Sequence, residues 1–458
     1  MSISFEHTLQ AAGKKYTFSI GGDGCAKKIT RLPRIINKDP IHIYGFGQDS
    51  IGIFKTDSQL LLSLADGHGP KEAGTIISYK IHEYMLTYIG DIQEFILEEI
   101  KKNNIESVKK IIKDMFEHVN QTILKEDEET STFYQGGTTF TLLHKFIDKT
   151  DGSLYSLSYN VGDSPYFKIS LDGELEELSE DQSCDNIEAV ESYYNHCLDK
   201  GVEPSPIILG RFNYQNFFKF PWMGESTIKP YIVEVVDGKY KLSPNTEIMK
   251  KVYEECPMEY KFNTFYNGGP QSIRGREANI KALEEGKYPM ENFGSTINGT
   301  VQNISSFGDK KSVINNNIMC TPHISINKIT EPHYDFVGSD GPIDCLTNTD
   351  IVEIFKEKPS MNMNEFTEYV SSVVDEKAIK GGFQLTQITN VPKWDDTSLW
   401  IVETKIETDA KANAELEANA ELEAKIIELE KQNAEMLEVA KCIQREINIV
   451  IDKLNKLV

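Results

Sequence analysis

The sequence predicts an α+β fold, and three observations predict it. Strand-like and helix-like segments come in blocks rather than alternating as βαβ units do: a strand pair, a helix pair, then a second strand pair. Aspartates stand where several apolar, strand-like runs begin or end. A closing segment without glycine or proline repeats apolar residues every three and four positions, which adds a C-terminal coiled-coil helix.

Residues 1–41 are polar and punctuated by GGDG at 21–24 and Pro33, and read as an N-terminal extension. IGIF (51–54) and QLLLSLAD (59–66) read as strands around a turn at Asp57-Ser58. Beyond Pro70, Ile77, Ile81, Tyr84, Met85 and Tyr88 recur at helical spacing over 71–89. A second helix is expected across much of 91–126, burying Ile96, Ile100, Val108, Ile112 and Phe116. GGTTFTLLHKFI (136–147) and SLYSLSYNVGD (153–163) then read as two strands joined by a turn at Lys149–Gly152. From 182 to 305 no period survives, so this stretch reads as an elaborated or inserted region within a domain spanning 42–404. Strand signals return at 333–339 and 398–403, with helical stretches at 347–357 and 363–376 between them.

The tail, 409–458, holds AELEA twice, at 414–418 and 420–424. From Leu422 the heptad places Leu422, Leu429, Met436, Ile443, Val450 and Leu457 at d, with Ile426, Asn433, Ala440, Ile447 and Leu454 at a. Asn433 at an a position favours a parallel two-stranded coil, because paired amides satisfy each other only in register. The tail is therefore expected to form a homodimer or bind a partner helix. The alternative is an amphipathic helix folded back on its own domain, with Leu437, Val439 and Ile451 widening its apolar stripe.

At 458 residues the chain has room for two or three average domains or one large one, and 39% hydrophobic residues supply a sizeable core. A net charge of −23 argues against a nucleic-acid partner, since phosphate contacts need clustered Lys and Arg. The seven cysteines (25, 184, 197, 256, 320, 345, 442) are scattered and show no CxxC pair, which points to a reducing, cytoplasmic setting. No run approaches the roughly 18 apolar residues of a membrane span, so no membrane partner is expected.

The chemistry lies in four acidic signatures: GQDS at 47–50, DGHG at 66–69, GSDG at 338–341 and WDDTS at 394–398. Each alone reads as a turn, a cap or a loop. Their context says more. Asp66 and Asp340 follow the apolar runs LLLSLA and YDFVGS and precede glycine, while Asp395 stands before SLWIV. Carboxylates at strand ends on a rigid sheet can converge, and Gly67 leaves its backbone carbonyl open to a cation. Hard oxygen ligands in this number point to Mg²⁺ or Mn²⁺ rather than zinc. His68, beside Asp66, would sit at the metal rim, where a proton donor is useful.

With GGTTF (136–140), NVGDS (160–164) and SSFGD (305–309) added in order, the chain resembles the PP2C-type, metal-dependent Ser/Thr protein phosphatases of the PPM family over about residues 42–404. That resemblance implies a four-layer α-β-β-α sandwich, two antiparallel sheets flanked by helices, with a metal cleft at one end. It implies that Asp66 bridges two ions and that the Gly67 carbonyl binds one of them. Asp340 and Asp395 would complete the first ion's shell, and Asp49 would support the second. Asp163 would help hold a third ion, as in some members, and His68 would be the general acid. The implied activity is hydrolysis of phosphoserine and phosphothreonine in phosphoproteins by a metal-bridged hydroxide.

The chain departs from the family pattern in places. Tyr44 stands about where a phosphate-binding arginine is common, with Arg31 and Arg34 out of register. Gln48 replaces a frequent glutamate, Pro165 a frequent arginine, and the connection from Asp181 to SSFGD is long. These departures define the alternative: a weak or inactive PP2C-like pseudophosphatase that acts as a phosphoprotein-binding scaffold through its coiled-coil tail. The retained aspartates favour catalysis, because metal-assisted hydrolysis depends chiefly on such ligands.

Overall fold

The computed structural model describes residues 2–26, 34–38, 40–69, 73–130, 136–208, 229–255, 281–282, 284–287, 296–297, 303–309, 318–380 and 395–408, with scattered positions between 425 and 448. The chain opens with a hairpin of β1 (Ser2–Ala11) and β2 (Lys14–Cys25), followed by β3 (Arg34–Lys38), β4 (Ile41–Phe46), β5 (Asp49–Lys55), β6 (Gln59–Ala65) and the short β7 (Gly67–His68). Three helices come next: α1 (Ala73–Asp91), α2 (Gln93–Lys101) and α3 (Ile105–Thr130). Then follow β8 (Gly137–Thr138), β9 (Phe140–Ile147), β10 (Leu154–Val161), β11 (Tyr166–Ser170) and β12 (Leu175–Glu177).

A separate group comprises α4 (Ile187–Asp199), β13 (Ile207–Ile208), β14 (Tyr231–Val236), β15 (Lys239–Pro244), α5 (Thr246–Glu255) and β16 (Thr296–Ile297). The chain returns through β17 (Phe307–Gly308), β18 (His323–Ile329) and β19 (His333–Gly338). It continues with α6 (Asp340–Ile343), α7 (Asn348–Lys356), α8 (Met363–Lys380) and β20 (Thr397–Thr408).

Two antiparallel sheets dominate, as the α+β reading expects. One has the order β1-β2-β20-β19-β11-β12, the other β18-β10-β9-β6-β5-β4-β3. Both faces of each sheet are apolar, and period-two alternation sorts the side chains between them. On β6, Leu60, Leu62 and Leu64 enter a core shared with Phe18, Trp400 and Val402 of the other sheet. Leu61 and Ala65 instead join Ile77, Met85, Val108 and Phe116 of α1 and α3. On the other sheet, Leu399 and Ile401 pack with Ile351, Phe355, Phe366 and Val370 of α7 and α8. A polar group interrupts the core between the sheets. Lys145 on β9 and Asp335 on β19 pair at 2.9 Å, both fully buried.

The stretch read as an N-terminal extension is corrected here. β1 pairs with β2, and β2 pairs along its whole length with β20, so residues 2–25 belong to the six-stranded sheet. Its glycines masked the strand signal. A side chain at Gly22 would meet Trp400 at 2.5 Å and one at Gly21 would meet Thr367 at 2.0 Å, so close packing removes the residues that usually mark a strand. The single helix expected over 91–126 is also two, because the chain breaks at 102–104. Asn103 there takes φ +56°, a conformation Asn tolerates better than most residues.

Within 182–305, Val190, Tyr193, Cys197, Ile207 and Ile297 form a small core of their own. Asn186 caps α4 by accepting from the backbone N–H groups of Glu188 and Ala189. Most of the heptad tail lies outside the described residues; Leu429, Met436 and Leu437, which are described, are helical and exposed. Among the described residues no helix is long and apolar enough to cross a membrane.

Candidate metal centre

The acidic signatures meet at strand ends. Asp49 opens β5 behind a tight turn in which Gly47 takes φ +77°. That turn is tied down on two sides. Thr75 Oγ1 and Ser78 Oγ of α1 donate to the carbonyls of Gly47 and Gln48, at 3.1 and 2.7 Å. The Gln48 N–H donates to Asp396 Oδ2 at 2.9 Å. The Gln48 side chain turns away to donate to the Gly69 carbonyl at 3.0 Å. Asp49 itself is 1% exposed, and its Oδ2 accepts from Ser398 Oγ at 3.1 Å.

Asp66 follows β6, and its backbone is fixed by the 137–139 segment. Its carbonyl accepts from Thr139 N and Thr138 Oγ1, both at 2.9 Å. Gly67 is demanded by crowding: a Cβ there would lie 2.4 Å from the Gly74 carbonyl oxygen and 2.5 Å from that of Gln48. Asp163 lies just beyond β10, where its Oδ1 accepts from Asn303 Nδ2 at 3.3 Å. Asp340 begins α6, and its Oδ1 is buried with no hydrogen-bond partner. Asp395 precedes β20, its Oδ1 accepting from the N–H of Asp396 at 2.8 Å.

The carboxylates feel one another. Burial and then Asp340, Asp49, Asp395 and Asp163 push the Asp66 carboxyl far above the usual carboxylate range. Burial and then Asp396, Asp395 and Asp340 do the same to Asp49. Asp163 is pushed up to about 7 by burial, Asp340 and Asp181. Asp66, Asp163 and Asp340 are only partly buried and keep some solvent contact. The fold thus brings Asp49, Asp163, Asp340 and Asp395 within electrostatic reach of Asp66.

Among the described residues, no three ligating side chains close around one point as a formed cation cage would. The donor set nevertheless fits hard divalent cations. It is all oxygen, it concentrates like charge in a desolvated setting, and it leaves one oxygen of Asp340 unsatisfied. Such repulsion is relieved by binding protons or by binding metal.

His68, on β7, places Nε2 2.7 Å from Asp309 Oδ2. Burial pulls its pKa down, but the Asp309 charge and hydrogen bond outweigh this, and the net shift is upward, toward the imidazolium. Asp309 and Asp396 were not singled out by sequence reasoning. The signal for each was present, in the last residue of SSFGD and in the second acid of WDDTS. Tyr44 packs against the core between the sheets, and burial raises its phenol pKa, so it offers no cation for phosphate. Arg31 lies outside the described residues.

No family model and no curated protein matches the sequence. Solved structures that resemble the chain include several serine/threonine phosphatases. One is serine-threonine phosphatase 2C from Toxoplasma gondii, 12% identical with a TM-score of 0.45, the match covering 88% of this chain and 99% of that one. Another is the serine/threonine phosphatase Stp1 from Staphylococcus aureus, at 13% and 0.37, covering 83% and 96%. A third is the catalytic domain of the phosphatase PstP in complex with two manganese ions, at 11% and 0.37, covering 85% and 99%. Likeness at TM-scores below 0.5 carries no argument of its own, and the functional reading rests on the aspartates.

Proposed function

We propose that this chain is a PP2C-type protein phosphatase, a four-layer sandwich that hydrolyses phosphoserine and phosphothreonine with the help of Mg²⁺ or Mn²⁺. One observation carries the reading: buried Asp49 and Asp66 are pushed far above the usual carboxylate range by burial and by Asp340 and Asp395, and a buried oxygen of Asp340 has no hydrogen-bond partner. Two divalent cations, when bound there, would supply an activated water and neutralise charge on the phosphoryl oxygens.

In this reading Asp66, Gly67, Asp340 and Asp395 hold one ion, Asp66 and Asp49 serve the second, and Asp163 supports a third. Three of these groups have a supporting contact that limits their motion. Ser398 steadies Asp49, Asn303 steadies Asp163, and the Thr138-Thr139 pair fixes the backbone at Asp66. His68, with its pKa raised, is suited to give a proton to the departing serine or threonine oxygen. The acidic surroundings repel a phosphorylated substrate until cations are bound, so binding and chemistry are expected to share one metal dependence. The tail is proposed to pair with a second copy of itself through Leu429, Met436 and their heptad neighbours.

The test is Mn²⁺-dependent hydrolysis of p-nitrophenyl phosphate and of a phosphothreonine peptide, with Asp66→Asn as control. Turnover that needs Mn²⁺ and vanishes in the variant supports the reading. Mn²⁺ binding without turnover would replace it with a phosphoprotein-binding scaffold.

A further inference from the structure

A small three-stranded sheet, β17-β8-β7, begins at Gly67 and His68, directly after Asp66. Its middle strand holds only Gly137 and Thr138, and Gly137 leaves one position bare of a side chain. Gly137 pairs with His68 on one side and with Gly308 on the other. A Cβ on Gly137 would sit 2.0 Å from Asp309 Oδ2 and 2.5 Å from His68 Nε2. Glycine here clears a passage through which a carboxylate reaches the imidazole across the sheet.

The carboxylate is held as though its direction mattered. Asp309 takes φ +56°, a left-handed conformation that an aspartate adopts at some cost. Its N–H donates to the Gly136 carbonyl at 2.9 Å, and Ser306 Oγ donates to its Oδ2 at 2.5 Å. The preceding Gly308 N–H donates to Asn120 Oδ1 of α3 at 3.0 Å. Asp309 is 2% exposed, whereas the His68 side chain keeps 31% of its surface. The Nε2 edge of the ring is therefore fixed by a buried acid, while the side chain keeps part of its surface in solvent. Among the described residues Nδ1 has no hydrogen-bond partner.

We propose that Asp309 is a positioning residue, which anchors Nε2–H of His68 so that Nδ1–H is presented to the oxygen leaving phosphorus. This rests on the phosphatase reading. As a water oxygen bonds to phosphorus and the ester phosphorus–oxygen bond breaks, the serine or threonine oxygen keeps the bonding pair and takes the Nδ1 proton, while the water's proton passes to solvent. The ring is left neutral, still donating Nε2–H to Asp309, and recovers its proton from solvent. A buried acid behind a histidine fixes tautomer and orientation in the same way at other catalytic histidines.

The experiment compares two leaving groups and one spectrum in Asp309→Asn and in the milder Ser306→Ala. p-Nitrophenolate departs without a proton, whereas a threonine alkoxide needs one. Asp309→Asn is expected to lower kcat/KM on a phosphothreonine peptide by about 10²-fold, the size of a general-acid contribution, and on p-nitrophenyl phosphate only a few-fold. Ser306→Ala should show the same bias at smaller size. His68→Asn combined with Asp309→Asn should be no worse than His68→Asn alone, because the two act as one unit. In metal-free, ¹⁵N-histidine-labelled protein, the downfield Nε2 proton of His68, assigned by its loss in His68→Asn, should move upfield in Asp309→Asn.

Equal losses on both substrates, additive losses in the double variant, or an unmoved Nε2 proton would each overturn the proposal. A wild type inactive on both substrates would remove the phosphatase reading and the proton-donating half of this one. The anchoring half would then stand or fall by the spectrum alone.

Discussion

Replacing Lys145 by methionine tests the logic of the fold most directly. The ammonium and the Asp335 carboxylate lie 2.9 Å apart between the sheets, each 0% exposed. Tyr166 Oη donates to Asp335 Oδ1 at 2.6 Å, and His333 Nε2 lies 3.4 Å from the same atom. Burial pushes the Asp335 carboxyl up, but Lys145, His333 and Tyr166 together take it well below the ordinary range. Burial pulls the Lys145 ammonium down, and Asp335 only partly restores it. The two directions disagree about whether the pair gains or loses by burial. The geometry favours an ionised pair, because several donors converge on one carboxylate.

Removing the lysine alone leaves a buried charge without its main partner, which costs about 3–5 kcal/mol. At about 2 °C per kcal/mol, Tm falls by roughly 6–10 °C. The double variant Lys145→Met, Asp335→Asn should cost less than either single one, since asparagine still accepts from Tyr166 and no lone charge remains. The pH dependence follows from the sign of the shift. The folded pKa of Asp335 is depressed, so its contribution is present above the unfolded value of about 3.9 and is lost as pH falls through the folded one. In Lys145→Met that depression is largely gone, so the variant's deficit should be widest near neutrality and narrow as acid protonates Asp335. Guanidinium unfolding followed by the fluorescence of Trp400, buried in the same core, reads all of this. A single-variant cost under about 1 kcal/mol, or a double variant that simply adds the two losses, would refute the reasoning.

Three further outcomes are expected. Asp66→Asn and Asp340→Asn should each abolish Mn²⁺-dependent hydrolysis while leaving the far-UV circular dichroism unchanged; activity surviving both would end the metal mechanism. In metal-free protein the raised Asp163 pKa, about 7, means the folded form keeps a proton that the unfolded chain gives up near 3.9. That stabilisation is full below about pH 4 and is lost as pH rises through about 7, so Tm should fall across that window. Mn²⁺ at a hundredfold its Kd should restore about 2.7 kcal/mol at neutral pH, and Asp163→Asn should make the metal-free slope shallower in scanning fluorimetry, Asp49 and Asp66 supplying the remainder. Light scattering on residues 1–408 and on the full chain should give a monomer and a dimer, and a monomer in both would mean that the tail folds back.

How much of this was legible in the sequence depends on the range over which each signal acts. β5 and β6 were readable because their apolar runs and the intervening turn are local, and α1 because its period is unbroken. β2 was not, because its glycines answer to Trp400 and Thr367, far away in sequence. The helix break at Asn103 was missed because the apolar period resumes on its far side. The same division runs through the site. Asp66 and Asp340 announced themselves by standing at the ends of apolar runs beside glycine.

Asp309 also stands beside a glycine, as the last residue of SSFGD, but its role shows only in the fold, where it reaches across Gly137 to His68, 241 positions earlier in the chain. Asp396 likewise looked redundant beside Asp395 until the Gln48 N–H was found on its carboxylate. Residues in direct line for chemistry sit at strand ends, where alternation and glycine betray them. Those that position them sit wherever the fold can reach, and sequence pattern alone has no period with which to find them. Gly47 makes the point from the other side. At φ +77°, with Asp396 Oδ2 only 2.3 Å from where a Cβ would be, its identity is set by a carboxylate at the far end of the domain.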